Sequence, residues 1–303
     1  MLRLILIACC SAALLVAQTP DPNKSGYPHD MVWFNPPKKP LPGVVHEGYL
    51  SASMKTQVGY NIYLPPGYEG SSKRYPVIYW LHGRGGTESS GGYPLQLLTE
   101  AVSAGKLPPT IVVYVSGGSQ TNYCDSYDGK YMGETTVIKE LIPLIDSKYR
   151  TIASREGRSI QGMSMGGFGT LRLGLKYPNL FSSAVAFAGG IRFPDELASA
   201  HLSFKEMFNN DAELFRANHP ETWARRHLDQ IRGKMIVQMY VGDKDPALKA
   251  NRRMHAVLTE IGIPHGYREI EGVAHNLGKL AEQVQMENFE IAGRGFLRGV
   301  WGK

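Results

Sequence analysis

Strand-like runs recur along the chain at Val77–Leu81, Ile111–Val115, Ser159–Met163, Ala184–Ala188 and Met235–Val241, with helical stretches between them. Short runs dominated by apolar residues fit strands buried on both faces, and strands alternating with helices fit a mostly parallel sheet covered on both sides. Upstream, Gly43–Ser53 and Gln57–Leu64 alternate apolar and polar residues and are closed by Pro65-Pro66-Gly67, which predicts two antiparallel strands at the sheet edge. The expected class is therefore α/β, a mostly parallel central sheet with antiparallel N-terminal edge strands and helices on both faces. With 303 residues, 43% of them hydrophobic, the chain can bury one large core, and a single folded domain over residues 43–303 is expected.

Between the second and third buried runs, Val137, Leu141 and Ile145 repeat every four residues, predicting an amphipathic helix that Pro143 should kink. After the third run, Leu171 and Leu175 continue a helix that Tyr177-Pro178 ends. Gly162-Met163-Ser164-Met165-Gly166 lies at the junction of that strand and helix. A serine flanked by glycines at such a junction sits on a tight turn that exposes its hydroxyl. The amide of the next residue, Met165, then points to where an oxyanion would form, aided by the positive end of the helix. The pentapeptide recurs by chance in many chains, where its serine is only a turn residue; the strand and helix around it carry the nucleophile reading.

A serine hydroxyl needs an imidazole to take its proton, and the imidazole needs a carboxylate to orient it. The histidines after Ser164 are His201, His219, His227, His255, His265 and His275. The first three precede the strand Met235–Val241, His255 falls within the helical stretch Ala247–Ile261, and His265 follows Ile263-Pro264 at a turn. His275 follows the strand-like Tyr267–Ile270 and a glycine-containing loop, where the base is expected. Gly242-Asp243-Lys244-Asp245 offers two carboxylates, and spacing alone hardly separates them. Trp80-Leu81-His82-Gly83-Arg84-Gly85-Gly86 closes the first buried strand with small, turn-prone positions, making the Arg84 main-chain amide a second oxyanion donor. His82 precedes the serine in the chain and is expected to brace this loop.

The net charge of +6 comes from scattered basic residues and pairs such as Lys73-Arg74 and Arg252-Arg253, a solvated surface with no nucleic-acid-binding run. Histidines and cysteines show no metal-ligand spacing, and no metal or organic cofactor is expected. Cys9 and Cys10 lie near the start, leaving Cys124 alone further along, without a charged neighbour that would activate it. Met1-Leu2-Arg3 followed by the apolar stretch Leu4–Ala17 has the shape of a signal peptide and is too short for a stable membrane span. Leu6-Ile7-Ala8-Cys9 loosely matches a lipoprotein signal, but apolar sequence continues past Cys9. The expectation is a leader over residues 1–17, an extended arm over 18–42, and a secreted or periplasmic protein.

Taken together, Tyr63-Leu64-Pro65-Pro66-Gly67-Tyr68, Tyr75-Pro76-Val77 leading to Leu81-His82-Gly83, Glu140-Leu141-Ile142-Pro143, Gly162 to Gly167, Gly242 to Asp245, and His275 resemble one group of α/β-hydrolases. That group holds feruloyl and acetylxylan esterases, S-formylglutathione hydrolase, enterochelin esterase catalytic domains and mycolyltransferases. The resemblance implies an α/β-hydrolase fold and a serine esterase with Ser164, Asp245 and His275 as triad, preferring Asp245 to Asp243. It likewise implies Met165 and Arg84 as oxyanion donors. Val273-Ala274 stands where relatives often carry glycines, so the pocket wall beside His275 should differ. The expected substrate is a small or polysaccharide-linked ester, such as acetyl or feruloyl groups on plant cell-wall polymers. An acyltransferase using the same residues and a silent binding homologue are the rivals. Ile191–Arg232 and Tyr123–Tyr131 are the segments expected to wall the pocket. The oligomeric state is not legible in the sequence.

Overall fold

The computed structural model describes residues 31–39 and 41–300; the leader expected over residues 1–17 lies outside them. Eight strands form one sheet: β1 (Val44–Leu50), β2 (Gln57–Tyr63), β3 (Val77–Leu81), β4 (Ile111–Val115), β5 (Arg158–Met163), β6 (Ser183–Phe187), β7 (Ile236–Gly242) and β8 (His265–Ile270). Their spatial order is β1-β2-β4-β3-β5-β6-β7-β8. β1 pairs antiparallel with β2, and β2 antiparallel with β4; every later pairing is parallel. This is the α/β class expected from the strand pattern, antiparallel edge included.

The residues of β3 and β4 are all buried, yet their side chains divide by parity. Val77, Tyr79, Leu81, Ile111 and Val113 join the core on one face, while Ile78, Trp80, Val112 and Tyr114 join that on the other. Alternation of side chains across a pleat makes this division obligatory, so a doubly covered strand must be apolar at every position. The first face packs against the helices Met165–Lys176 and Leu248–Glu260, the second against Leu95–Ser103, Leu277–Val284 and Glu287–Val300.

The helix expected around Val137, Leu141 and Ile145 runs without a break over residues 133–148, and Pro143 follows directly on a π-helical stretch within it, Thr136–Leu141, where the widened turn accommodates a residue without an N–H. β1 stops at Leu50, short of Ser53, because Glu140 draws the next residues into a turn: Ser51 Oγ donates to Oε2 at 2.6 Å and the Ser53 amide to Oε1 at 2.8 Å.

The described part of the arm has no regular secondary structure but is tied down. Trp33 is buried, its carbonyl accepts from the Gly59 amide at 2.7 Å, and the Asn35 amide donates to Glu88 Oε1 at 2.5 Å. Among the described residues, no helix is long and apolar enough to cross a membrane.

Candidate active site

Ser164 directly follows β5 and directly precedes the helix Met165–Lys176, with φ 59° and ψ −117°. A non-glycine residue in this region is strained by about 1–3 kcal/mol and persists only where its surroundings fix it. Here the Ser164 amide donates to Phe187 O at 2.9 Å, while its carbonyl accepts from Gly190 N at 2.7 Å and Phe168 N at 3.0 Å. The flanking glycines are a matter of space. A Cβ on Gly162 would stand 2.7 Å from the carbonyl oxygens of Gly166 and Leu81, and one on Gly166 only 2.0 Å from Leu81 O.

The other two residues arrive on loops at the ends of β7 and β8, which are parallel neighbours. The loops are bonded together: Lys244 N donates to Val273 O at 3.0 Å, and Gly272 N to Asp243 Oδ1 at 2.8 Å. Asp243 thus holds the loop. Asp245 points inward, its side chain fully buried, accepting from Ala247 N at Oδ1 (2.7 Å) and facing His275 Nδ1 at Oδ2 (2.8 Å). His275 Nε2 lies 2.9 Å from Ser164 Oγ. A carboxylate can only accept here, so the proton sits on Nδ1 and Nε2 presents its lone pair to the hydroxyl. His275 remains partly open to solvent and Ser164 is half-buried, so both side chains can be reached from solvent.

Met165 opens the helix, where an amide has no intrahelical acceptor. Gly83 backs onto the serine, since a Cβ there would lie 3.6 Å from Ser164 Cβ, and Arg84 is the next residue in the chain. His82 is buried behind the loop. Its Nδ1 donates to Gly83 O at 2.8 Å, and its carbonyl accepts from Tyr123 OH at 3.1 Å. Burial pushes the imidazole pKa down to about 4, so it stays neutral and suits bracing better than proton exchange.

The remaining histidines serve elsewhere. His219 is buried and caps the helix Pro220–Arg226 by accepting from Glu221 N, His227 Nδ1 donates to Leu175 O, and His255 and His265 bond each other at 2.7 Å. His265 is the first residue of β8 rather than part of a preceding turn. Sequence reasoning missed the support behind the serine. Asn251 Nδ2 donates to Gly189 O and Ala247 O, each at 2.8 Å, joining the loop after β6 to the turn that carries Asp245. Ala188, at φ 44°, starts that loop, a strain that no local motif announces.

Ser126, Tyr127 and Lys130, with Leu202, Lys205 and Asn209, line an open cavity of about 490 Å³ between the segments Tyr123–Tyr131 and Ile191–Arg232, and neither Ser164 nor His275 belongs to its lining. Arg172 anchors the first of these segments from within. Buried in the helix after Ser164, it pairs with Glu134 at 2.5 Å and donates to Tyr123 O at 3.0 Å and Asn218 Oδ1 at 2.8 Å.

Comparison with known proteins fits this arrangement. The family model described as "Putative esterase" matches residues 51–290. An esterase of Mycobacterium tuberculosis H37Rv is 31% identical over 242 residues, covering 71% of this chain and 52% of its own length. A xylanase/feruloyl esterase of Xylanibacter ruminicola is 35% identical over 149 residues, covering 45% of this chain and 20% of its own. The chain thus spans about half the length of the mycobacterial relative. A solved ferulic acid esterase superposes with a TM-score of 0.72 at 23% identity, over 84% of this chain and 98% of that one. An S-formylglutathione hydrolase of Agrobacterium tumefaciens does so at 0.69 and 18%, over 84% and 95%. With the sheet order, the serine turn and a match spanning residues 51–290, the chain belongs to the putative esterase family and has the α/β-hydrolase fold.

Proposed function

We propose that this chain is a serine-dependent carboxylic ester hydrolase that works through an acyl-enzyme. The observation that carries the reading is the hydrogen-bonded line from Ser164 Oγ to His275 Nε2 (2.9 Å) and from His275 Nδ1 to the buried Asp245 (2.8 Å). His275 takes the Ser164 proton as Oγ attacks the ester carbonyl, and Asp245 stabilises the imidazolium that forms. The amides of Met165 and Arg84 hold the oxyanion, each such donor being worth about 3 kcal/mol in the transition state. Collapse breaks the bond to the alcohol, which leaves with the proton from His275. Water then attacks the acyl-Ser164 carbonyl, giving its proton to His275, and the carboxylic acid departs as Ser164 recovers a proton.

An acetyl or feruloyl ester on a plant polysaccharide is the substrate class proposed, supported by the named esterase relatives. Residues 1–17 are proposed as an export signal, which N-terminal sequencing of exported protein would test. The functional test is labelling by a fluorophosphonate alongside hydrolysis of p-nitrophenyl acetate. Wild type should do both and Ser164→Ala neither; retained turnover in the variant would overturn the assignment.

A further inference from the structure

The turn beside Ser164 is held from behind by the N-terminal arm. Gly83 backs onto the serine, and Gly86 N donates to Gly83 O at 3.0 Å, closing a four-residue turn with Arg84 and Gly85 at its centre. Gly85 stands at φ 73°, which glycine adopts without strain, and its amide donates to Ser119 O at 2.7 Å. Ser119 is in turn tied to the arm, its Oγ accepting from Val32 N at 3.2 Å. Trp33 packs over the preceding residue, so that a Cβ on Gly118 would lie 2.9 Å from its Cη2.

A second route runs through Glu88, whose side chain is fully buried. Its Oε1 accepts from the Asn35 amide at 2.5 Å and from His46 Nε2 at 3.1 Å, while its backbone carbonyl accepts from Asn61 Nδ2 at 3.0 Å. Beside it, Asn35 Nδ2 donates to Thr87 Oγ1 at 2.9 Å and Ser89 Oγ to Asn35 O at 2.5 Å. Gly59 makes the room, since a Cβ there would stand 2.1 Å from Glu88 Oε1. The arm, β1, β2 and the loop after β3 thus converge on one carboxylate, and none of these bonds involves the triad. A buried carboxylate persists only where donors surround it, and charge-assisted bonds of this kind fix the direction of the groups they join.

We propose that Glu88 is a positioning residue: with Val32, Trp33 and Asn35 of the arm, and Ser119 behind Gly85, it sets the turn that carries the Arg84 amide, the second oxyanion donor. The inference rests on the ester-hydrolase reading and deepens it, because it makes the arm a support of the oxyanion site. A donor displaced by a fraction of an ångström loses its grip on the transition state, while ground-state binding changes little.

The test uses the full chain and two substrates that differ in one atom, p-nitrophenyl acetate and its thionoester, in which sulfur replaces the carbonyl oxygen. Sulfur is the poorer acceptor, so stabilisation by the oxyanion amides favours the oxygen ester. Glu88→Ala should lower kcat for p-nitrophenyl acetate by about 10–100-fold, since a displaced donor is weakened but still present, with KM within about threefold of wild type. The ester-to-thionoester ratio of kcat/KM should fall with it, and the pH profile should keep its shape because the triad is untouched. Glu88→Gln keeps an acceptor for the Asn35 amide and should restore most of the rate. Should Glu88→Ala fold poorly, Asn35→Ala combined with Ser119→Ala removes one side-chain tie from each route and should lower kcat and the ratio in the same direction. Wild-type kcat in the folded variant, an equal loss of rate for both substrates, or an altered pH profile overturns the assignment while leaving the ester reading intact. Failure of wild type to hydrolyse p-nitrophenyl acetate removes the ester reading itself.

Discussion

Gly166 and Leu81 touch across the junction of strand and helix so closely that a methyl group on Gly166 would stand 2.0 Å from the Leu81 carbonyl oxygen. That oxygen belongs to β3, the immediate parallel neighbour of β5. An alanine there must push β3 away from the serine turn. Gly166→Ala should therefore destabilise the fold by about 2–3 kcal/mol and displace Ser164 from His275. The check is a thermal melt together with the rate of fluorophosphonate labelling. Gly70→Ala, where nothing lies within 4 Å, should stay within about 0.5 kcal/mol of wild type. Equal effects of the two substitutions would remove the steric account of the motif.

The two aspartates at the end of β7 do different work. Asp245 is buried against His275 Nδ1, whereas Asp243 accepts from the Gly272 amide at the surface. Asp245→Asn keeps one acceptor oxygen, which the Ala247 amide engages, and turns its NH2 toward His275 Nδ1, so it can no longer fix the imidazole proton there. The cost expected is about 10³–10⁴ in kcat toward p-nitrophenyl acetate. Asp243→Asn keeps an acceptor oxygen and should cost less than about tenfold. Reversal of that order would reassign the acid.

Much of this arrangement could be read from the chain because it is written in local spacing. Val77–Leu81 and Ile111–Val115 are strands over the expected residues, since a doubly buried strand must be apolar throughout. Ser164 was recognisable because its glycines are imposed by the same steric crowding wherever a serine occupies such a turn. What stayed hidden depends on partners distant in sequence. Spacing left Asp243 and Asp245 open, the family resemblance preferred Asp245, and the pairing of the two loop ends brings Asp245 to His275. Asn251, the strained Ala188 and the pairing of Arg172 with Glu134 carry no local signature. The π-helical stretch before Pro143 was equally invisible, because a one-residue widening of a helix leaves its four-residue spacing of apolar side chains nearly unchanged.

Cys124 is fully buried, and that burial pushes its thiol up to about pKa 12. Thiolate is the reactive form, so the native thiol should ignore Ellman's reagent at pH 8 for hours and react within minutes after unfolding in guanidinium. Cys124→Ser should leave kcat within about twofold of wild type if the thiol is only packed, since burial outweighs the opposing pull of Arg172 and Lys176. Fast native labelling would show that the loop from Tyr123 to Tyr131 opens in solution.

Glu134 gives the acid side of stability. Burial alone would raise its pKa, but Arg172, with Lys176 and Tyr177, outweighs burial and holds the carboxyl down at about 2, against 4.5 for the free group. A depressed carboxylate pKa stabilises the fold fully above the unfolded value. That contribution, roughly 3 kcal/mol, is lost as pH falls from about 4.5 toward 2. Removing the charge should remove this slope. Glu134→Gln is expected to be less stable at neutral pH, because Arg172 keeps its burial and loses its partner. It should also lose less additional stability between pH 5 and pH 2.5 than wild type does, as measured by urea midpoints at closely spaced pH values. Parallel profiles for the two proteins would place the acid sensitivity at another carboxylate. Because Arg172 also holds Tyr123 O, the variant should loosen the segment Tyr123–Tyr131; if that segment walls the substrate pocket, the KM for bulky esters should rise more than that for acetate.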